Sequence, residues 1–503
     1  MRPGLPILLL LPVLGACGDD DHGASDTSTA DTSTADTSTP DTGDTDAVLE
    51  VPEVYAFESA FVSGESSVAY DGQTMRHVLI EDLERYIGSL TTLIDAGTYQ
   101  PTTQGEVVAA LDYYFRFDSD SSGGDAHGIS TTPAPVQATY DDISKGKNLV
   151  DKLAGNDAST DHVDFKAGGF KGWSDASIAA HGGGIGSPEA LVIAFFSTIE
   201  AQAIARVNGT IPKGPGDVAL PVHVTPEGLD LAELVQKFLT GAIAFSQGAD
   251  DYLDDDVAGK GLYASNLAPA EGGKHTELEH AWDEGFGYFG AARDYAGYSD
   301  ELLAGATPYR DSDTSGAIDL LSERSYGHST NAAKRDRGAR PGGETDLTAE
   351  AIAGFLEGRA IITRAAGRAL TEGEMSALVA ARDRAVGAWE KAIAATALHY
   401  VNDVLKAMAK IDGEGYDLLA HAKAWSELKG FALSLQFNPR SPLSDEDFDA
   451  LHAKIGDRPV LAPAGATALD AYRVALREAR ALLVDAYDFP AANTGGDHGE
   501  DGW

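Results

Sequence analysis

The chain has 503 residues, of which 43% are hydrophobic, with one cysteine and a formal charge of −42 at pH 7. That charge argues against nucleic-acid binding, because contacts to phosphates require a basic surface. A single cysteine excludes a disulfide within the chain. A strongly acidic body attracts cations, but acidity alone does not separate a cation-binding protein from an ordinary soluble one.

The N-terminus has the layout of a secretory signal. Arg2 precedes the apolar run "PILLLLPVLG", which is too short to span a bilayer. The run ends in "LGAC", which resembles a bacterial lipobox and predicts that Cys17 is lipidated. We therefore expect residues 1–16 to be a lipoprotein signal peptide, with an ordinary signal peptide as the alternative. No inner-membrane retention signal follows Cys17, so we expect the outer membrane of a bacterial cell envelope.

The segment after the cysteine has the composition of a disordered linker. Residues 17–50 contain "DTSTADTSTADTSTPDTGDTD", a five-residue repeat with almost no apolar side chains. Such a segment buries too little surface to offset the entropy of ordering, so it predicts a flexible tether. Residues 51–490 form the predicted globular body, and we expect a disordered tail over residues 491–503.

Helical periodicity dominates the body. The clearest case is a run of apolar side chains in steps of three and four, which lines one helix face and comprises Trp389, Ile393, Ala397, Tyr400, Val404 and Met408. Strand signals are few, and the best is a short extended piece around "SSVAYDGQTM". The pattern predicts an all-α bundle with long loops at residues 118–190 and 254–276.

A cluster of acids and histidines in "HTELEHAWDEGFGYFG" is the first candidate site. On a helix, Glu277, His280 and Glu284 project from one face, since they lie three and four residues apart. Glu-x-x-His is the ligand unit of carboxylate-bridged iron sites in helical bundles. Asp283 and Glu279 lie on neighbouring faces as further ligands. A hydrogen-bonded histidine among surface acids is the alternative.

A second helix offers ligands that would complete such a site. "DLLAHAKAWSELKGF" carries His421 and Glu427 on an otherwise apolar helix, and "ATALHYVND" supplies the weaker pair His399 and Asp403. Imidazole with carboxylates suits iron or another divalent transition metal, whereas copper(I) would require sulfur. We expect the two helices to share one ion.

The stretch "YRDSDTSGAIDLLSE" predicts a calcium loop. Gly316 stands where the sharp turn of an EF-hand-type loop requires glycine. The acid expected at position 12 comes one residue late, because Ser322 occupies that position. The predicted ligands are Asp311, Asp313, Ser315, the carbonyl of Ala317, Asp319 and Glu323. An acidic turn is the alternative. A similar spacing at Asp118 and Asp120 has no acid to close it.

Signatures of catalysis are mostly missing from the sequence. We find no His-Glu-x-x-His pattern of a zinc protease and no Gly-x-Ser-x-Gly elbow. "LAPAEGGKHT" fails as a phosphate loop, because Ala268 and His275 occupy the key positions. We therefore lean against an enzyme.

Several blocks of the chain resemble an uncharacterised family of bacterial lipoproteins, a domain of unknown function related to the imelysins. The most specific blocks are "EHAWDEGFGYFG" and "WSELKGF". The resemblance implies an imelysin-like helical body of two bundle-like halves, and a link to iron acquisition. The family hallmark Gly-x-His-x-x-Glu corresponds here to "LEHAWDE", so only His280 and the Asp283/Glu284 pair carry over.

These observations lead us to expect an envelope lipoprotein that binds iron and presents it to an uptake partner in the outer membrane. Two alternatives stay open. One is a surface protein with a structural or interaction role, braced by calcium at residues 311–323. The other is a metal-dependent hydrolase with Glu277 or Glu279 as general base. The sequence does not indicate an oligomeric state.

Overall fold

The computed structural model describes residues 49–122, 124–157, 160–174, 185–270, 273–411 and 413–503. The predicted signal peptide, Cys17 and nearly all of the predicted tether lie outside the described residues. Residues 49–503 form one compact unit.

Helices account for most of the regular structure in the described residues. The α-helices are α1 Asp71–Asp95, α2 Glu106–Phe115, α3 Ser119–Ser122, α4 Tyr140–Ile143, α5 Pro188–Val207, α6 Leu231–Leu239, α7 Glu277–Phe289, α8 Asp300–Leu303, α9 Gly327–Gly338, α10 Leu347–Arg364, α11 Glu372–Met408, α12 Leu418–Ser434, α13 Asp445–Ile455, α14 Ala466–Tyr487 and α15 Ala491–Thr494. About 54% of the chain is helical, which confirms the predicted fold class.

The other elements are short. The 3-10 helices are Val150–Lys152, Pro215–Asp217, Gly261–Tyr263, Tyr295–Gly297 and Ala462–Ala464. Strands β1 Lys213–Gly214 and β2 Val218–Ala219 form an antiparallel pair. Two π-helical stretches, Thr240–Phe245 and Gln247–Tyr252, continue α6.

Helix α11 organises the core. Its 37 residues begin with a capping box, in which the Thr371 side chain and Glu374 bond each other's backbone amides. The helix packs along α10 and α12 and also contacts α9 and α14. The predicted apolar face is buried, with Trp389, Ile393 and Met408 fully covered.

The π-helical stretches place polar residues inside the core. Asp230 caps α6 by accepting hydrogen bonds from the backbone amides of Ala232 and Glu233. All residues of Thr240–Phe245 are buried, as are all but the last residue of Gln247–Tyr252. π turns of this kind occur frequently at functional sites.

Helix α5 is, by length and composition, apolar enough to cross a membrane. Leu191, Phe195 and Ile199 on this helix are nevertheless fully buried in the hydrophobic core. Core helices of globular proteins pass the same test, so this feature carries no conclusion about a membrane.

Two stretches differ from the sequence prediction. The extended piece predicted around residues 66–75 is reduced to a single bridge between Glu58 and Ser66, because α1 already begins at Asp71. Residues 491–503, predicted as a tail, lie against the body. Trp503 is 3% exposed, contacts Phe489 edge to face, and donates its indole N–H to the Arg335 carbonyl (2.9 Å).

Candidate cation-binding sites

The acid-rich segment quoted above forms α7, and a capping box fixes its start. The Thr276 hydroxyl accepts from the Glu279 amide (3.1 Å), and Glu279 Oε2 accepts from the Thr276 amide (2.9 Å). The helix ends at Gly290, whose φ of 83° is the left-handed conformation of a helix C-cap. Glu277 faces solvent, whereas Glu279 is fully buried.

Two of the predicted ligands, Glu279 and Asp283, bind a buried arginine. Arg359 of α10 donates through Nη1 to Glu279 Oε1 (2.7 Å) and through Nε to Asp283 Oδ1 (2.8 Å). Tyr55 donates its hydroxyl to the same Asp283 oxygen (2.8 Å), and the Ala69 amide donates to the other (3.1 Å). All four carboxylate oxygens therefore have a hydrogen-bond donor.

This Arg359 network is charge-assisted and fully buried. Burial opposes the charge of Arg359, but the carboxylates of Asp283 and Glu279 outweigh it and raise the arginine pKa. Burial and the neighbouring Asp283 charge raise the pKa of Tyr55, so its hydroxyl stays protonated and donates. A guanidinium already provides the positive charge that a metal ion would supply to these acids.

His280 and Glu284 lie on the more open side of α7. His280 Nε2 is 3.8 Å from Glu284 Oε2, and the His280 ring stacks on His275 at 4.6 Å between centroids. Glu284 also accepts from the Gln73 amide (2.7 Å). Within the described ranges, His280 belongs to no group of three acid or histidine side chains whose ligand atoms all lie within 4.8 Å.

The predicted ligands on α12 have other neighbours. His421 Nδ1 lies 3.1 Å from the Tyr416 hydroxyl, and burial lowers the His421 pKa to about 4. Glu427 lies 3.7 Å from Lys237 Nζ and lines a polar cleft of about 260 Å³ between α1, α6, α9, α11 and α12. Neither residue shares a hydrogen bond or ion pair with α7 in the described structure. The transition-metal site around His280 stays a prediction.

The predicted calcium loop brings three of its acids together. One carboxylate oxygen each from Asp311, Asp313 and Glu323 lies within 4.8 Å of the others. The Gly316 amide donates to Asp311 Oδ2 (3.0 Å), which folds the loop back on its first acid. Gly316 has a φ of 84°, a left-handed conformation that favours glycine at this turn.

Glu323 closes this loop from the position one residue later than usual. It is 3% exposed, and its Oε1 accepts from the Ser312 (2.7 Å) and Asp313 (3.2 Å) amides. Asp319, a predicted ligand, is not in this group: its Oδ1 accepts from Gln137 Nε2 (2.8 Å), and its backbone amide donates to Glu323 Oε2 (2.8 Å). Asp311 Oδ1 is buried and has no hydrogen-bond partner among the described residues.

A second group of three acids was missed by the sequence prediction. Asp161 lies in the long loop, just before His162, and Asp250 and Asp251 lie in the second π-helical stretch. One carboxylate oxygen from each of these acids lies within 4.8 Å of the other two. Burial raises the pKa of Asp161 to about 7, although the Gly155 amide opposes the shift. Burial also raises the Asp251 pKa well above its usual range. The adjacent acids in "GADDYLDDD" were the only signal of this group.

Comparison with known proteins gives a match over part of the chain. No curated protein and no solved structure matches the chain. The resemblance to imelysins and to lipoproteins is therefore still a prediction. Residues 177–318 match the family model described as a domain of unknown function (DUF4856). The matched residues include α7, Asp250 and Asp251 of the second π-helical stretch, and Asp311 and Asp313 of the predicted calcium loop.

Proposed function

We propose that this chain is a calcium-binding helical protein held at a bacterial cell envelope by a lipid on Cys17. The observation that carries the calcium proposal is the convergence of Asp311, Asp313 and Glu323, with Asp311 Oδ1 buried and lacking a partner in the described residues. Calcium prefers carboxylate and carbonyl oxygens at about 2.3–2.6 Å from the ion, and this loop brings three carboxylates together.

The loop is positioned to brace two parts of the body. An antiparallel β-bridge between Tyr309 and Arg324 closes the base of the loop. The Ile318 amide donates to the Ala134 carbonyl (3.0 Å), and the Ile318 carbonyl accepts from the Val136 amide (2.9 Å); both partners lie in the long loop. A calcium ion would hold the three acids together against their mutual repulsion. It would thereby fix the contact between the two loops, and the protein would serve as a rigid surface for interaction at the envelope.

Calcium binding at the loop is tested by titrating the full chain and an Asp311→Asn/Asp313→Asn variant. We expect calcium to raise the melting temperature of the parent protein, and we expect the variant to lose part of that rise. The matched control is Asp118→Asn/Asp120→Asn, which removes the same charge from exposed residues of the same spacing. An equal calcium response in both variants would exclude the loop as a binding site.

The envelope location rests on the lipobox-like "LGAC" and the tether-like composition that follows it. The test is fractionation of cells that express the parent chain or a Cys17→Ala variant. We expect the parent in the membrane fraction and the variant in the soluble fraction. Equal partition of both would exclude lipid anchoring at this residue.

A second candidate function is iron binding and presentation to an uptake partner. It is favoured by the stacked His275 and His280 rings, and by His280 Nδ1, which is buried without a partner in the described part of the chain. The Glu284 carboxylate lies 3.8 Å from His280 Nε2. Stoichiometric iron in the purified parent protein, lost in His280→Ala, would support it. Equal iron content in the two proteins would exclude this site.

A further inference from the structure

We propose that Asp161, Asp250 and Asp251 form a second calcium site, independent of the loop at residues 311–323. Consecutive residues on a regular α-helix point about 100° apart, but the π-helical stretch changes this register. Asp250 and Asp251 thereby both direct an oxygen toward Asp161, which enters from the loop after Val150–Lys152.

The hydrogen bonds leave the inner oxygens of this Asp161 group free. His162 donates its backbone amide (3.1 Å) and its ring Nδ1 (2.7 Å) to Asp250 Oδ2, and the Gly155 amide donates to Asp161 Oδ2 (2.7 Å). The Oδ1 atoms of all three acids are buried and have no hydrogen-bond partner among the described residues. These oxygens are the ones available to an ion.

A fourth side chain points to a ligand independently of the acids. Gln247 is fully buried and bonds Asp251 through its amide nitrogen, so its amide group lies against the Asp161 group. Its Oε1 has no partner in the described structure. A fully buried amide oxygen requires a donor or a cation, because burial without either is costly.

The basic side chains nearby offset only part of the charge of the Asp161 group. The His162 ring contacts Asp250 (2.7 Å), whereas Lys152 binds Asp157 (2.5 Å) and Arg440 binds Asp254. Asp250 is fully buried and Asp251 is 7% exposed, so solvent does not screen their repulsion. A divalent cation would supply the missing positive charge.

The ligand chemistry favours calcium over other cations. Three carboxylates and an amide provide only oxygen, which selects hard cations and disfavours copper or zinc. One oxygen of each acid lies within 4.8 Å of the others, which is close enough for one ion to contact all three. Magnesium usually keeps several waters and is held by one or two carboxylates, so a buried group of three carboxylates and an amide suits calcium better. The partly exposed Asp161 and His162 give a route from solvent.

The test is calorimetric titration of CaCl2, and separately of MgCl2, into the chelator-treated full chain carrying Cys17→Ser. We expect two calcium ions per chain in the parent, one in Asp250→Asn/Asp251→Asn, and one in Asp311→Asn/Asp313→Asn. Two ions in the Asp250/Asp251 variant would overturn this inference and leave the loop proposal intact. Two ions in the Asp311/Asp313 variant would overturn the loop proposal alone. Binding of Mg²⁺ without Ca²⁺ at the Asp161 group would overturn the assignment of calcium.

A second variant tests the same group without removing an acid. His162→Ala keeps all three acids but removes the ring that orients Asp250, and such changes weaken metal binding by on the order of 10–100-fold. We expect that weakening at one of the two calcium sites only. Unchanged affinity at both sites would contradict the role of Asp250 as a ligand oriented by His162.

Discussion

Two groups of buried acids, close in sequence and both within the segment that matches the family model, are stabilised in different ways. Glu279 and Asp283 share the guanidinium of Arg359, and every one of their oxygens has a donor. Asp250 bonds the ring of His162 and Asp251 bonds the amide of Gln247, neither of them a guanidinium, and each acid retains an unpartnered oxygen. A buried acid that the chain itself neutralises is structural, whereas one that it leaves unneutralised is a candidate ligand.

Removing calcium should change the free energy of unfolding more than any substitution below. Of the two groups, it should affect only the Asp161 group, because Glu279 and Asp283 bind Arg359 instead. With free calcium at a hundredfold above its dissociation constant, each site adds about 2.7 kcal/mol to the free energy of unfolding. Two sites therefore add roughly 5 kcal/mol. Urea unfolding in calcium and in chelator measures the difference. A difference below about 1 kcal/mol would contradict binding at either site.

Removing the arginine should break the other group. Arg359→Ala leaves Glu279 and Asp283 buried without a cation, which we expect to lower the free energy of unfolding by about 3–5 kcal/mol. Calcium stoichiometry should be unchanged. The control is Arg384→Ala, which removes an exposed pair with Glu350 and should cost less than about 1 kcal/mol. Equal costs for the two variants would show that the buried network is not structural.

The sign of a charge removal sharpens the comparison further. In chelator, Asp250→Asn/Asp251→Asn should raise the free energy of unfolding by about 1–3 kcal/mol, because it removes repulsion between buried carboxylates. Asp283→Asn should instead lower the free energy of unfolding, since Asp283 binds Arg359. Thermal unfolding of both variants in chelator is the measurement. Destabilisation by both would mean that the two groups do not differ.

The smallest effect concerns the packing that seats Arg359. A Cβ at Gly358 would lie 2.0 Å from the Trp282 ring, so Gly358→Ala should destabilise by on the order of 1 kcal/mol or more. Gly387 lies within α11 and has open space around it, so Gly387→Ala should be neutral or stabilising by about 0.4–1 kcal/mol. Chemical unfolding compares the two. A Gly358 variant as stable as the Gly387 variant would contradict this packing.

Local patterns in the sequence predicted a large part of the fold. The apolar period through Trp389, Ile393 and Met408 predicted α11, because one buried helix face requires that spacing. The spacing of Asp311, Asp313 and Gly316 predicted the turn of the loop at residues 311–323, since the hydrogen bonds of that loop are made within a dozen residues. Interactions between residues that are close in the sequence can be predicted from the spacing of those residues.

Long-range partners left no such mark. Arg359 lies 80 residues from Glu279, and nothing in the sequence around either residue indicates that they pair. Asp161 joins Asp250 only through a loop and a π-helical distortion, neither of which has a periodicity to detect. The sequence therefore identified Glu279 and Asp283 as acids with metal-ligand spacing. It could not show that Arg359 neutralises them, because Arg359 is distant in the sequence.

Native mass spectrometry of the full chain carrying Cys17→Ser, sprayed from a calcium-containing volatile buffer, tests the central claim most directly. The account predicts two bound calcium ions in the parent and in Arg359→Ala, because the Arg359 network holds none. It predicts one ion in Asp250→Asn/Asp251→Asn. A parent protein without bound calcium, or a variant at Asp250 and Asp251 that keeps both ions, would contradict the account.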